Sequence, residues 1–367
     1  MPRGVGTTAR RHDGASALRQ VGTSARRHVG RAAYAAGMAK VIVAGASGFM
    51  GAALVDALRA DGDQVVTVGR GDDADVRWTD PAGLADAVDG AELVVNLAGR
   101  SVNCRYTKRN REAILSSRVH TTEAIGAAIA AAAAPPTLWI NASTATIYRH
   151  AETAPQTEAD GEIDPQTFSE RVAVAWEQAL ADAATPRTRR IALRTTIVLG
   201  RGGALPVLLR LAKLGLGGPH HDGWWPAWPW RRAAGTHLPR RSRGGRQKFS
   251  WIHLDDYVDV VRFLRAHPEI DGPINLATPE ATDDRGLMRA VRRAVGARIG
   301  LPTYRWMLEL GGVALRTEAE LVIKSRWVIP QRLIDAGYEF RYTDIDDAVR
   351  SIASERSGSG SGPGSSS

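Results

Sequence analysis

A glycine-rich turn between an apolar run and an amphipathic segment constrains the fold of this chain more than any other feature. Residues 40–44, KVIVA, are typical of a buried strand, and residues 51–60 have the apolar spacing of a helix. The turn between them, residues 45–51, reads GASGFMG. Glycine lets backbone amides approach a ligand, and a helix N-terminus offers unpaired N–H groups with a partial positive charge. Strand, turn and helix in this order predict a dinucleotide phosphate site rather than a turn without a ligand.

Short apolar runs alternate with amphipathic helices along the rest of the chain. The predicted strands are 40–44, 64–68, 93–97, 137–142, 190–194 and 274–277. The predicted helices are 51–60, 108–134, 170–183, 255–267 and 284–295, followed by a helical region up to Ser354. Such alternation is typical of a parallel sheet covered on both faces. We therefore predict an α/β fold, a Rossmann-type doubly wound parallel sheet with a smaller C-terminal α+β capping domain.

Composition divides the chain into four parts. Residues 38–204 form the predicted nucleotide-binding domain, and residues 205–354 form the capping region with a Trp/Arg-rich insertion at 220–247. Residues 1–37 are a basic extension that is either disordered or lies upstream of a functional start at Met38. Residues 355–367 are a disordered Gly/Ser tail.

The net charge of +9 does not predict a nucleic-acid partner. Residues 1–37 and 219–248 each carry +6, which leaves −3 for the remaining residues, and both segments are Gly-, Pro- and Ser-rich rather than folded basic faces. The single cysteine, Cys104, excludes an intramolecular disulfide and a multi-thiolate metal site, and no metal is predicted. No apolar run approaches the roughly 20 residues of a transmembrane helix. These features predict a cytoplasmic protein without a transmembrane segment.

Two positions near the predicted turn bear on the choice of cofactor. After the second strand, where an acidic residue would accept hydrogen bonds from the adenosine ribose of NAD, the chain has Gly69 and Arg70. A guanidinium pairs bidentately with a 2′-phosphate, so Arg70 favours NADP(H) over NAD(H), with a solvated loop arginine as the alternative. Asp80 either accepts a hydrogen bond from the adenine amino group or caps the next helix.

The third predicted strand ends in NLAG, residues 96–99, at the carboxyl edge of the sheet. Small residues there leave room for the nicotinamide ribose, because open α/β sheets bind ligands at this edge. The predicted cofactor-binding residues are Gly45, Ser47, Gly48, Phe49, Met50, Gly51, Arg70, Asp80, Leu97, Ala98 and Gly99.

Several motifs together resemble a known family. They are GASGFMG at 45–51, RYT at 105–107, SRVHTT at 117–122, LGLGGP at 214–219, FSWIHLDD at 249–256, VIP at 328–330 and AGYEFRY at 336–342. The chain is similar over residues 38–349 to the extended short-chain dehydrogenase/reductases, in particular an atypical epimerase/dehydratase-like branch with a C-terminal domain of unknown function. The resemblance implies an NAD(P)-binding Rossmann fold and a substrate-capping C-terminal part.

The resemblance also implies a Ser/Thr hydroxyl, an acid/base Tyr and a Lys four residues after it. Residues 143–148, STATIY, match the hydroxyl-bearing stretch and give Thr144 that role. Phe168 and Val172 stand where the Tyr and Lys are expected, and neither side chain can ionise. Tyr148 is a substitute acid/base whose pKa Arg149 or Arg171 would lower, or else it packs at the pocket wall and hydrogen-bonds a ligand.

Three further residues are predicted near the substrate. Arg105 and Arg118 either meet an anionic group of the substrate or are solvated helix charges. His253 is either a polar contact to the substrate or a structural histidine, and Asp255 or Asp256 is placed to cap the helix that follows. The insertion at 220–247 is a lid, an interface or a membrane-surface contact, and the first two are preferred.

Two functions remain open from the sequence. The first is an NADP(H)-dependent oxidoreductase or epimerase that acts on a small polar, sugar- or nucleotide-sugar-like substrate. The second is a catalytically silent NADP(H)-dependent sensor or scaffold, which Phe168 and Val172 motivate. A homodimer is a further expectation.

Overall fold

A seven-stranded parallel sheet organises the part of the chain that the computed structural model describes, residues 38–239, 242, 244–314 and 318–358. The strands are β1 Lys40–Ala44, β2 Gln64–Gly69, β3 Val76–Arg77, β4 Leu93–Asn96, β5 Leu138–Thr144, β6 Arg189–Thr195, β7 Ile197–Leu199, β8 His220–His221, β9 Lys248–Phe249, β10 Trp251–His253, β11 Gly272–Leu276, β12 Thr282–Asp283 and β13 Thr303–Tyr304. The predicted extension at 1–37 lies outside the described residues, as do residues 359–367 of the predicted tail.

Twelve α-helices are present within the described ranges. They are α1 Phe49–Ala60, α2 Pro81–Val88, α3 Lys108–Ala131, α4 Phe168–Ala181, α5 Leu205–Lys213, α6 Pro229–Ala233, α7 Leu254–Ala266, α8 Asp284–Ala294, α9 Arg305–Ala314, α10 Glu320–Ile323, α11 Gln331–Asp335 and α12 Ile345–Gly358. A 3-10 helix, Ala145–Ile147, follows β5. Helix α12 therefore enters the segment that the sequence predicts as a disordered tail. No described helix is long and apolar enough to cross a membrane.

The main sheet has the strand order β3-β2-β1-β4-β5-β6-β11, and all of its pairs are parallel. The order reverses between β1 and β4, which is the switch point where doubly wound sheets bind nucleotides. Successive residues of β1 point to opposite faces: Val41 and Val43 pack with α1 and α7, whereas Ile42 packs with α2 and α3. The predicted doubly wound α/β fold is confirmed.

The chain beyond residue 204 contributes to both the main sheet and a smaller second core. Strand β11 pairs with β6, and helix α7 packs on α1, so residues 254–276 belong to the nucleotide-binding layers. The boundary that the sequence places at 204 thus divides elements that pack together. Helices α5, α8 and α12 form a separate apolar cluster around Leu209 and Val291, with two-stranded sheets β7–β10, β8–β13 and β9–β12 beside them.

Candidate cofactor site and active site

The glycine turn after β1 is fixed by close backbone contacts. Gly45 has φ +82°, and a Cβ on it would lie 2.9 Å from the Ala98 nitrogen. A Cβ on Gly51 would lie 2.3 Å from the Gly45 carbonyl oxygen. Only glycine fits these two positions without movement of the backbone, so the turn brings the start of α1 against the loop after β4.

The N-terminus of α1 is open toward the turn. Gly48 is the N-cap, no side chain caps the helix, and its first turn contains no acidic residue. Ser47 and Gly48 are exposed, whereas the Met50 side chain packs on the core and the Phe49 ring covers Gly200 and Gly202. The amides of the first turn are therefore available to an anion, which is the arrangement that binds phosphate groups.

A buried hydrogen-bond network holds the loop after β4. The Ala98 amide donates to Asn96 Oδ1 at 3.1 Å, and Asn96 Nδ2 donates to Asn141 Oδ1 at 2.7 Å. Thr122 Oγ1 accepts from Trp176 Nε1 at 3.1 Å and lies 3.3 Å from Asn141 Oδ1. The sequence placed Asn96 at this edge of the sheet but did not predict the supporting roles of Thr122, Asn141 and Trp176, although a second asparagine near the end of an apolar strand is a signal for Asn141. Leu97, Ala98 and Gly99 are placed at the carboxyl edge beside the glycine turn.

A groove of about 250 Å³ runs from the glycine turn along the ends of β2 and α1. Arg70 lines it, as does Arg59 from the last turn of α1, which the sequence analysis missed. Asp56, Asp73 and Asp75 line the same groove. A hydrogen bond from the Thr67 amide lowers the pKa of Asp75. Two guanidinium groups and three carboxylates thus line the groove.

Asp80, for which the sequence allows either a contact to adenine or a helix cap, lies at the start of α2. Its Oδ1 accepts a hydrogen bond from the Gly83 amide at 2.9 Å, which makes it the N-cap of α2. Asp80 is not among the residues that line the groove at Arg70. The structure therefore favours the capping role over a contact to adenine.

Thr144 and Tyr148 occupy different environments at the end of β5. Thr144 is half-buried, and its Oγ1 accepts from the Thr146 amide at 3.1 Å. Tyr148 is 1% exposed; its hydroxyl accepts from Arg194 Nη1 at 2.7 Å and donates to Asn275 Oδ1 at 2.9 Å. Burial raises the pKa of Tyr148 even though Arg194 opposes the shift. Tyr148 is therefore a core residue with a fully engaged hydroxyl.

The two arginines that the sequence analysis paired with Tyr148 contact other residues. Arg149 forms an ion pair with Glu162 at 2.7 Å. Arg171 donates to the backbone carbonyls of Gln166 and Ala234. The expected lowering of the Tyr148 pKa by these two residues is a misassignment, because the adjacent guanidinium belongs to Arg194.

A different tyrosine lies beside Phe168. The rings of Tyr106 and Phe168 meet edge to face with centroids 5.1 Å apart, and Val172 joins the same apolar cluster. Ser169 Oγ lies 3.5 Å from the Tyr106 hydroxyl and donates to Glu320 Oε2 at 3.0 Å. Burial raises the pKa of Tyr106, and the nearby Glu320 carboxylate raises it further. Tyr106 thus brings a buried phenol hydroxyl from the segment between β4 and α3 to the N-terminal end of α4.

Ionisable side chains from the C-terminal region surround the same end of α4. Lys324 Nζ donates to Glu170 Oε1 and to the Thr146 carbonyl, each at 2.7 Å. Arg326 Nε donates to Thr146 Oγ1 at 3.2 Å. Glu320 is 7% exposed and its Oε1 has no hydrogen-bond partner in the described part of the chain. Burial raises the pKa of Glu320 and lowers that of Lys324, although each is opposed by a neighbour of opposite charge.

The two predicted substrate arginines differ in their partners. Arg105 pairs with Glu318 at 3.3 Å, and Glu318 also lies 3.6 Å from Arg231. Arg118 is partly buried beside Gly99 and lies 5.0 Å over the Trp176 ring. The structure thus gives Arg105 an internal counter-charge from the C-terminal region.

His253 is placed as a structural residue. Its Nδ1 accepts from the Asp255 amide at 3.1 Å, which caps α7, and its ring stacks on Tyr342 at 3.9 Å. The expectation that Asp255 or Asp256 caps this helix is therefore wrong. Asp256 is instead buried and accepts from the Arg341 and Tyr342 amides.

The Trp/Arg-rich insertion is anchored by buried ion pairs. Arg305 of α9 pairs with Asp222 at 2.9 Å, and Glu309 of the same helix pairs with Arg231 at 2.9 Å. Three tryptophans of the insertion are exposed, Trp224, Trp228 and Trp230, with Trp224 at 77% exposure. The possible roles of the insertion as a lid, an interface or a membrane contact remain predictions.

A larger groove, of about 790 Å³, lies at the other edge of the main sheet, at the amino ends of β5, β6 and β11. Arg189 and Arg190 line it. Arg189 donates to the Leu264 carbonyl in the last turn of α7, and Arg190 donates to the Leu180 carbonyl in the last turn of α4. These arginines hold helix ends, and the carboxyl edge of the sheet is where α/β folds bind ligands. We therefore place the functional site at the smaller groove and the turn beside it.

Comparison with known proteins agrees with this geometry. Residues 41–277 match the model of the NAD dependent epimerase/dehydratase family. The chain belongs to this family. Residues 305–352 match a C-terminal domain of unknown function, DUF1731, so the epimerase/dehydratase resemblance with this additional domain is confirmed.

Relatives of this family align over nearly their whole length. Epimerase family protein SDR39U1 of Bos taurus is 28% identical over 85% of this chain and 99% of its own. Epimerase family protein Mb2239 of Mycobacterium bovis is 30% identical over 85% of this chain and 96% of its own. The crystal structure of human SDR39U1 with NADPH superposes with a TM-score of 0.73 at 27% identity, over 86% of this chain and 99% of that one.

Proposed function

We propose that this chain is an NADP(H)-dependent oxidoreductase or epimerase for a small polar, sugar- or nucleotide-sugar-like substrate. The observation that carries the proposal is the uncapped N-terminus of α1 above a turn in which two glycines admit no side chain. The NADPH in the human relative supports the cofactor. Bound nicotinamide would supply the hydride chemistry, and the chain's own residues would bind the cofactor, orient the substrate and move protons.

The glycine turn gives a direct test of cofactor binding. We expect Gly45→Ala to weaken NADPH binding at least about tenfold, because the new methyl group meets the Ala98 nitrogen and displaces the turn. Gly62→Ala is the matched control: Gly62 also has a positive φ, +94°, but no atom lies within 4 Å of its Cβ. Both variants lose stability through the left-handed backbone, by about 1–2 kcal/mol.

NADPH fluorescence titration compares the two variants. Equal NADPH affinity in both would contradict the placement of the cofactor at the turn. No binding of NADPH or NADH by the wild-type protein would contradict the proposed function itself.

Two arginines support the choice of NADP(H). Arg59 and Arg70 line the groove at the adenosine end, and the charge of Arg59 also helps to lower the pKa of Asp75. A charge-assisted contact to a 2′-phosphate is worth about 1.5–3 kcal/mol, whereas the three carboxylates in the groove would oppose it. We propose that the guanidinium groups dominate because they can turn toward the phosphate while Asp75 is held by Thr67.

Arg70→Asp tests this choice. We expect the ratio of NADPH to NADH affinity to fall at least about tenfold, since the substitution removes a phosphate ligand and adds an acceptor for the ribose hydroxyl. Arg77→Asp makes the same change of charge at a residue that pairs with Asp72 and does not line the groove. Both nucleotides are titrated by calorimetry at constant ionic strength. An unchanged ratio of NADPH to NADH affinity in Arg70→Asp would show that another residue determines the choice of cofactor.

We place the proton-donating group at Tyr106 rather than at Tyr148. Tyr106 lies beside Phe168, where the family resemblance predicts the acid/base tyrosine, and Ser169 connects it to the buried Glu320. The half-buried Thr144 hydroxyl, which accepts from the Thr146 amide, keeps its own proton free to donate to a substrate oxygen. Lys324 and Glu170 would position this end of α4 through their ion pair.

Hydride exchange tests turnover. The protein is loaded with NADPH deuterated at C4 and offered a panel of carbonyl compounds and nucleotide sugars, and the label is followed by mass spectrometry. Transfer of deuterium to a product, or its loss from the cofactor, supports the proposal. Retention across the panel supports the second candidate, a silent NADP(H)-dependent sensor or scaffold, which Phe168 and Val172 favour.

We also propose a cytoplasmic location and a homodimeric assembly for the protein. The cytoplasm is supported by a single cysteine, Cys104, which leaves no intramolecular disulfide to be formed. A homodimer is supported by helix α9, whose Trp306, Leu310 and Val313 are 55%, 57% and 60% exposed and share one face.

A further inference from the structure

Arg118 is a partly buried cation with no carboxylate partner in the described part of the chain. Its Nη1 donates to the carbonyls of Arg100 and Ile114, each at 3.0 Å. The hydrogen bonds that Arg118 donates to described residues use only Nη1, so Nη2 and Nε stay available to a ligand. Other buried arginines have acidic partners, such as Arg194 with Glu177 and Arg305 with Asp222. A partly desolvated charge of this kind is costly unless an anion compensates it.

Arg118 lies close to the loop after β4, where the nicotinamide ribose is expected. A Cβ on Gly99 would lie 3.3 Å from its Cζ, so the guanidinium borders the loop after β4 at the switch point of the sheet. The Trp176 ring below it lies one helical turn after Val172, on the same face of α4. Helix α3 therefore places a cation over α4 one helical turn after Val172.

The electrostatics of this region agree with an anion site. Burial lowers the pKa of Arg118 to about 10, and the neighbours that oppose this shift are Tyr106 and Cys104, neither of them a carboxylate. Arg105 is less suited to the role because Glu318 already compensates its charge. The planar guanidinium with two free donor nitrogens matches the geometry of a carboxylate or phosphoryl group.

We propose that Arg118 binds an oxyanion, a carboxylate or phosphoryl group, that the substrate carries close to its reacting carbon. This inference rests on the proposed function and narrows its substrate class to anionic compounds. The other source of such an oxyanion is the diphosphate of the cofactor, which the experiment separates from the substrate.

The test uses full-length protein saturated with NADP⁺ and titrated with sodium oxalate or inorganic phosphate at constant ionic strength. We expect the wild type to bind at least one of these anions and Arg118→Met to bind it at least tenfold more weakly, with an unchanged affinity for NADPH. Arg100→Met is the matched control, because it removes an exposed charge nearby but keeps the carbonyl that accepts from Arg118. We expect its anion affinity to stay within twofold of wild type.

A second measurement avoids any effect of the substitution on folding. Phenylglyoxal modifies arginines, and peptide mapping follows Arg118 in the wild-type protein; oxalate or phosphate should slow its modification several-fold. Absence of anion binding by the wild type, equal binding by Arg118→Met, or lack of protection would overturn the inference. A tenfold loss of NADPH affinity in Arg118→Met would assign the residue to the cofactor. Failure of the wild type to bind NADPH would instead contradict the proposed function.

Discussion

Tyr106→Phe should lower the rate of hydride transfer by about 10²- to 10⁴-fold, the usual contribution of a general acid or base. The substitution keeps the ring that packs on Phe168 and removes only the hydroxyl near Ser169. NADPH affinity should stay within about twofold of wild type, since the side chain of Tyr106 contacts Phe168 and Ser169 rather than the glycine turn. Single-turnover measurement with deuterated NADPH and a substrate from the exchange panel follows the transfer.

Tyr148→Phe is the matched control, because it also removes a buried phenol hydroxyl. We expect it to reduce stability, since Arg194 Nη1 and Asn275 Oδ1 each lose a hydrogen bond, while hydride transfer continues. The opposite result, a loss of transfer in Tyr148→Phe with normal transfer in Tyr106→Phe, would return the acid/base role to Tyr148.

Arg194→Met should lower the free energy of unfolding by about 3–5 kcal/mol. Arg194 Nε and Nη2 donate to the two oxygens of Glu177 at 2.8 and 2.7 Å, and Ser143 donates to the same carboxylate at 2.6 Å. Removal of the guanidinium leaves the Glu177 carboxylate, which is 16% exposed, without its counter-charge. Urea unfolding followed by near-UV circular dichroism measures the change.

Arg341→Met provides the surface control for this prediction. Arg341 pairs with Asp255 and Asp259, but its side chain is 56% exposed, so its loss should cost at most about 1 kcal/mol. The double variant Arg194→Met/Glu177→Leu should recover part of the lost stability, because no unpaired charge remains buried. Equal effects of Arg194→Met and Arg341→Met would contradict the structural role of the buried pair.

Local sequence signals predicted the main sheet well. Strand β1 begins and ends where the apolar run does, and the glycine turn is recognisable because its geometry depends on neighbours within a few residues. The sequence predicts that α4 starts at residue 170, whereas the helix starts two residues earlier, at Phe168. Thr167 and Glu170 form a capping box, with Glu170 Oε2 accepting from the Thr167 amide at 2.6 Å, and this spacing is readable in the sequence.

The roles of the active-site residues were harder to predict because the residues that they contact lie far away in the sequence. Tyr148 meets Asn275 across 127 residues, and Ser169 meets Glu320 across 151. No pattern near Tyr148 distinguishes a core phenol from a reacting one. Asp256 was misassigned as a cap for a similar reason, since the amides that engage it lie 85 and 86 residues further along.

Strand β11 makes the nucleotide-binding half impossible to excise at residue 204. A fragment that ended there would leave the N–H and C=O groups of β6 as an open sheet edge, since β11 pairs with β6 from Ile191 to Thr195. It would also uncover the apolar surface of α1 that α7 shields. Unprotected strand edges template association between copies, so such a fragment should aggregate, and a fragment that folds should retain residues through Leu276 or beyond.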